Sequence, residues 1–219
     1  VSFFLPPNKK TNVLYICLFV RRKKMTKLFF FDIDGTLIEC NKGLYEISKT
    51  NRQSFDVLKE KGHDVFLATG RCKCFITDGV MNYPFSGYVT CNGGYVEYKG
   101  KALYKAIVPA KAIEETIKLS KEHHFSFYFE SNDFIYVLDR NEPRHVEFAK
   151  NWGMKDETII DDFDPQEIEA YIGMIVINSK EDIPVLVETL SPYFDIQRHQ
   201  TGYSFDNLIV SSIAFAGTI

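Results

Sequence analysis

Two carboxylates separated by a single residue, Asp32 and Asp34, stand at the end of an apolar run in the stretch KLFFFDIDGTL (27–37). On a strand, residues i and i+2 point to the same side, so this pair leaves a strand end together. Like charges brought that close repel, and desolvating them is costly unless a cation sits between them. Mg²⁺ is the natural guest, a hard cation that takes oxygen ligands and is comfortable between carboxylate and phosphate. Gly35 follows, allowing a sharp backbone turn and offering an N–H to an anion. With metal and phosphate in place, Asp32 can attack phosphorus as a nucleophile. Asp34 can then give a proton to the leaving oxygen and later take one from water. The competing reading is a turn whose carboxylates cap local N–H groups.

Two further stretches carry polar groups at strand ends. FLATGR (66–71) brings Thr69, Gly70 and Arg71. Thr69 alone reads as a β-branched strand residue, and Arg71 either contacts phosphate or caps a helix. TCNGG (90–94) brings Asn92, Gly93 and Gly94, either a hinge or site rim or only a tight turn.

The elements needed to position these residues are visible as an alternation. Leu28 to Ile33 reads as a strand buried on both faces of a parallel sheet. A helix with Ile47, Phe55 and Leu58 on its apolar side ends at Gly62. HDVFLATG is a second buried strand, RCKCFITDGVMNY a short helix and SGYVTCNGG a third strand. Strand, helix, strand, helix, strand with short links predicts a doubly wound parallel sheet whose strand C-termini share one edge, where such sheets bind ligands. After Gly94 the pattern changes to a hairpin around Lys99-Gly100, a helix opening at Pro109, and two aromatic-rich strands around Ser-Asn-Asp. A helix at 143–152, a strand at 171–177 and a helix at 183–190 follow. This predicts an inserted α+β unit over about 95–200, in which Phe127, Tyr128, Phe129 and Tyr136 pack as core.

DIDGTL after an apolar strand resembles the first motif of the haloacid dehalogenase-like superfamily, and FLATGR resembles its second. The spacing, TCNGG and an insertion after the second motif resemble the Cof-type phosphatase branch. The resemblance covers Met25 to about Gly202. It implies an α/β protein with a Rossmann-like parallel-sheet core (25–94), an inserted α+β cap (95–200) and a return toward the core (201–219). It implies a Mg²⁺-dependent phosphomonoester hydrolase acting through an aspartyl-phosphate. Asp32 would be nucleophile and metal ligand, and Asp34 general acid/base, with its backbone carbonyl a second ligand. Thr69 would hydrogen-bond the transferring phosphoryl group, and Gly35, Gly70, Arg71 and Asn92 would complete the phosphate site. The substrate would be a small phosphorylated metabolite, such as a sugar phosphate or a phosphorylated cofactor. Family members also carry a lysine after the cap and then a GDxxND-like motif. This sequence has no lysine after Lys180, and neither SSIAFAGTI nor SFDN with Asp206 supplies those parts. The core is therefore expected to be incomplete at its C-terminus and the chain's activity impaired. The alternative is a non-catalytic remnant or binding scaffold of the same fold.

Composition bounds the rest. Of 219 residues, 45% are apolar and 15% aromatic, so the chain folds around a real core. Residues 1–24 hold six of the 26 basic side chains and no acidic one, leaving 20 basic against 29 acidic in the remainder. So acidic a body is a poor match for nucleic acid. NVLYICLFV is too short to span a bilayer, and its basic cluster RRKK follows rather than precedes it. Residues 1–24 therefore read as an extension outside any domain, with Met25 as the natural start and no membrane association expected; the competing reading is a membrane-touching N-terminal tail. The odd number and scattered spacing of the five cysteines, Cys17, Cys40, Cys72, Cys74 and Cys91, do not suggest a disulfide framework, although RCKC brings Cys72 and Cys74 close and a metal or redox role is the competing reading there. They read as free thiols in a reducing cytoplasm.

Overall fold

The computed structural model describes residues 25–39, 42–152, 154–177, 182–199 and 209–215. The N-terminal extension, Cys17, Cys40 and Asp206 lie outside them. Two sheets organise the chain.

The first sheet has five strands in the order β1 (Leu28–Phe31), β2 (Asp64–Ala68), β3 (Gly87–Thr90), β4 (Tyr95–Tyr98) and β5 (Lys101–Lys105). β1, β2 and β3 run parallel, so the residues after each emerge on one edge. Helix α1 (Lys49–Glu60) links β1 to β2. The Ser48 side chain accepts the Asn51 N–H to open it, and Gly62, at φ +80°, turns the chain back toward β2. Phe55 on its inner face meets Phe31 at 4.6 Å and Tyr83 at 5.2 Å between ring centroids. Ile33, Leu37, Val65, Leu67 and Val80 complete that core. A short helix, α2 (Asp78–Met81), precedes β3.

β1 differs from the expectation. It stops at Phe31, and Leu28 and Phe30 are each 52% exposed, so only one face is covered. Among the described residues β1 pairs with β2 alone, which makes it an edge, and α1 packs on one face only. The hairpin at 95–105 also lies elsewhere than expected. β4 pairs antiparallel with β3 in full register, and β5 with β4, so the hairpin extends the first sheet rather than opening the second unit. Lys99 and Gly100 make its turn with φ of 49° and 76°, the twist a two-residue hairpin needs.

The second sheet is mostly antiparallel, in the order β10 (Phe194–His199), β11 (Ile209–Phe215), β9 (Ile172–Ile177), β6 (Ser126–Glu130), β7 (Ile135–Tyr136) and β8 (Ile159–Ile160). Helices α3 (Ala110–His123), α4 (Pro143–Trp152) and α5 (Ile183–Leu190) accompany it. Successive β6 residues face opposite sides. Phe127 and Phe129 enter a core with Ile113, Leu119, Leu186 and Leu190, while Tyr128 enters one with Ile135, Tyr171 and Ile172. Both faces being covered, Tyr128 and both phenylalanines are 1% exposed. The second of these cores also takes in Cys72, Cys91 and Tyr95, so it joins the two sheets. Residues 209–215, read as returning toward the first sheet, instead form β11, hydrogen-bonded between β9 and β10. Two-residue β8 is too short to leave a period in the sequence, and β10 mixes polar and apolar residues.

Candidate active site

Asp32, Thr69 and Asn92 follow β1, β2 and β3 at the shared C-terminal edge. After Phe31 the strand ends, and Ile33 plunges into the core at 0% exposure. Its carbonyl accepts the N–H groups of Thr36, Leu37 and Ile38 at 3.2, 2.9 and 3.1 Å. That wrap forces the chain to reverse, and Gly35 supplies the reversal at φ +75°, where a side chain would be strained. Asp32 and Asp34 are thereby both left exposed on either side of a buried anchor.

Asp34 is clamped. Arg71 Nε donates to its Oδ2 at 2.9 Å and Nη2 to its Oδ1 at 2.7 Å, a bidentate fork on a carboxylate whose side chain remains 47% exposed. The guanidinium itself is buried. Its Nη1 donates to the Phe75 carbonyl at 3.1 Å, and its Cζ lies 4.9 Å from the Phe75 ring centroid. Arg71 therefore both caps the end of the helical turn Lys73–Phe75 and fixes the second aspartate.

Thr69 is held by its backbone, whose N–H donates to the Val89 carbonyl at 2.9 Å. Its hydroxyl oxygen accepts the Arg71 N–H at 3.2 Å, which leaves the hydroxyl proton available to a ligand. Gly70 is a close approach: a Cβ there would stand 2.7 Å from Asn92 Oδ1. Asn92 is exposed, at φ 53° in a tight turn that Cys91 shares, at the same edge as Gly70. The structure thus gathers all seven expected residues on one edge. The Arg71–Asp34 pairing was not foreseen, and nothing in the sequence singles out a partner 37 positions away.

The donors suit a hard cation. Asp32 offers an exposed carboxylate and Asp34 a main-chain carbonyl, and Mg²⁺ is usually held by one or two carboxylates with substrate phosphate and water. Among the described residues no group of three His, Cys, Asp or Glu is arranged to hold a metal unaided, so phosphate oxygens would have to share the work.

Comparison with known proteins bears on this arrangement. Residues 29–212 match the family model of the haloacid dehalogenase-like hydrolases. The Bacillus subtilis protein named "Putative phosphatase YkrA" is 28% identical over 122 residues. That alignment takes in 56% of this chain and 46% of YkrA, so the chain matches about half the length of this curated relative. A Geobacillus kaustophilus protein of solved structure superposes with a TM-score of 0.71 at 19% identity, over 88% of this chain and 70% of that one. The subclass IIB sugar phosphatase BT4131 superposes with a TM-score of 0.65 at 20% identity, over 89% and 72%. The family match spans most of the sequence and runs through both motifs and most of the second sheet, and the chain belongs to the haloacid dehalogenase-like hydrolases.

Proposed function

We propose that this fold hydrolyses phosphomonoesters of small metabolites, with Asp32 as nucleophile, in the manner of the Cof-type branch. The observation that carries the reading is an exposed Asp32 carboxylate beside an Asp34 held by a buried arginine fork. An Asp32 oxygen attacks phosphorus as the ester P–O bond breaks, leaving an acyl phosphate on Asp32. The carboxyl of Asp34 protonates the departing alkoxide, and its carboxylate then takes a proton from the water that releases phosphate. Each Asp34 oxygen accepts one bond from Arg71, so the proton is carried on a lone pair that the fork leaves free. Thr69 donates its hydroxyl to a phosphoryl oxygen, and the backbone at Gly35 and Gly70 and the amide of Asn92 border the anion. Mg²⁺, held by Asp32 and the Asp34 carbonyl, would offset the phosphate charge when bound.

The substrate class is a sugar phosphate or a phosphorylated cofactor, in a cytoplasmic setting; among the described residues no helix is long and apolar enough to cross a membrane. The test is acid quenching during turnover of a phosphoryl-labelled ester. Label that survives acid and is released by alkali is expected on the protein, and absent from Asp32→Asn. Full turnover by that variant would remove Asp32 from its role. Across a panel of esters, preference for phosphoproteins or nucleic-acid ends would overturn the metabolite assignment.

A further inference from the structure

Behind the Arg71 fork, the residues on the opposite side of the same segment make a second arrangement of reactive groups. Cys72 Sγ and Cys74 Sγ stand 3.4 Å apart. Cys72 is completely buried, while Cys74 is part-exposed and lines an open cleft of about 490 Å³ with Lys73, Tyr95, Glu97, Asn132 and Asp133. Across the junction, the buried carboxylate of Glu130, the last residue of β6, accepts hydrogen bonds from both the backbone N–H and the thiol of Cys72. Cys74 Sγ in turn lies 3.8 Å from the Ser131 carbonyl oxygen. Two residues apart, the cysteine Cα atoms can be separated by no more than about 7 Å, close to the range of about 4.4–6.8 Å that disulfides span. Closing the sulfurs from 3.4 Å to a bond of about 2.05 Å needs a local shift, not a rearrangement of the fold.

We propose that Cys72 and Cys74 form a peroxide-responsive dithiol, with Cys74 meeting the oxidant, Cys72 resolving it and Glu130 accepting the Cys72 proton. The chemistry closes without another reactant. The Cys74 sulfur attacks one oxygen of a hydroperoxide, breaking the O–O bond, and becomes a sulfenic acid with loss of water or alcohol. Cys72 passes its thiol proton to Glu130 and attacks the Cys74 sulfur. The S–O bond breaks, and hydroxide leaves as water on recovering the proton from Glu130. Two thiols are oxidised to one disulfide and one peroxide is reduced. Burial favours the protonated form of Cys72 and lifts Glu130 to about 7, so the resolving thiol needs an acceptor, and its neighbour is poised as one at neutral pH.

The consequence falls on the site. The bridge would tighten 72–74 inside the loop whose two ends, Arg71 and Phe75, hold the fork on Asp34. The dithiol does not depend on the phosphatase reading, because its formation is read by mass and not by turnover.

The test uses the whole chain, reduced and then exposed to hydrogen peroxide, alkylated under denaturing conditions, cut with chymotrypsin and analysed by mass spectrometry. The expected product is a peptide holding both cysteines, unalkylated and lighter by two hydrogens, restored by dithiothreitol. In Cys72→Ser, Cys74 should stop at a sulfenic acid that dimedone traps; in Cys74→Ser, Cys72 should stay alkylatable. Glu130→Gln should slow ring closure by about a hundredfold without slowing the first oxidation. A bridge from either thiol to Cys91, or Cys74 passing to sulfinic acid while Cys72 remains alkylatable, would overturn the pairing. Closure at the parent rate in Glu130→Gln would overturn the role of the carboxylate.

Discussion

Replacing Arg71 by alanine separates the two jobs a buried arginine beside two aspartates could do, and the structure fixes the size of the effect. The side chain makes two bonds to Asp34 and one to the Phe75 carbonyl, and lies over the Phe75 ring. Asp34 is 47% exposed, so water offsets much of the fork's strength and each of its bonds contributes about 1 kcal/mol. The Phe75 bond adds about 1 kcal/mol and the ring contact about 0.5 kcal/mol. Arg71→Ala should therefore destabilise the chain by about 3.5 kcal/mol, read as a lower urea midpoint at unchanged slope. Arg71→Lys keeps the charge but not the fork, and should fall between. In catalysis, an unanchored Asp34 should lower kcat on an aryl phosphate by about a hundredfold while KM stays near its parent value. A stability loss below about 1 kcal/mol, or a raised KM with kcat intact, would refute the positioning role and return Arg71 to phosphate binding.

Two further substitutions test the packing around the site. Burial raises the Glu130 carboxyl from 4.5 to about 7, so between these values the folded chain binds the proton that the unfolded chain releases. Stability from this group is therefore full below about 4.5 and is lost as pH rises through about 7, a change of about 3 kcal/mol. Glu130→Gln should match the parent near pH 4.5 and exceed it by up to about 3 kcal/mol at pH 8 in paired urea titrations; a pH-independent difference would show that the carboxyl is not neutral in the fold. At Gly87 on β3, an added Cβ would stand 2.4 Å from the Glu97 carbonyl oxygen and 2.3 Å from the Phe66 ring. Since the carbonyl belongs to the paired strand β4, Gly87→Ala should cost about 2–3 kcal/mol by overpacking, and a thermal midpoint equal to the parent's would show that the hairpin gives way freely.

The parallel part of the fold was legible because each element carries a local signature. Ser48 and Gly62 bracket α1, and the apolar run of β2 is buried as its composition implies. What failed depended on neighbours. Leu28 and Phe30 look like core in any window of sequence, yet they are half exposed because β1 is an edge strand among the described residues. Lys99-Gly100 announces a hairpin, but which sheet the hairpin joins is decided by the Gly87–Thr90 backbone it pairs with. β10 and β11 take their places from each other and from β9, with little periodicity of their own.

The candidate site divides along the same line. Asp32, Asp34, Thr69 and Arg71 could be named from residue type and from their places at strand ends, but their pairings could not. The reason lies in the segment 71–75, where extended backbone at Cys72 gives way to a helical turn over Lys73–Phe75. Arg71 reaches Asp34 with the Phe75 carbonyl and ring against its guanidinium, while Cys72 and Cys74 face Glu130 and Ser131 at the end of β6. Two sets of contacts thus share five residues of backbone, and neither can shift without moving the anchor of the other. Glu130→Ala, which deletes the acceptor of two Cys72 bonds, should therefore reach Asp34 through Arg71 although it touches neither aspartate. It should lower kcat in the same sense as Arg71→Lys, and the double variant should lose less than the two single losses combined. Additive losses would show that the two sides of the segment act independently.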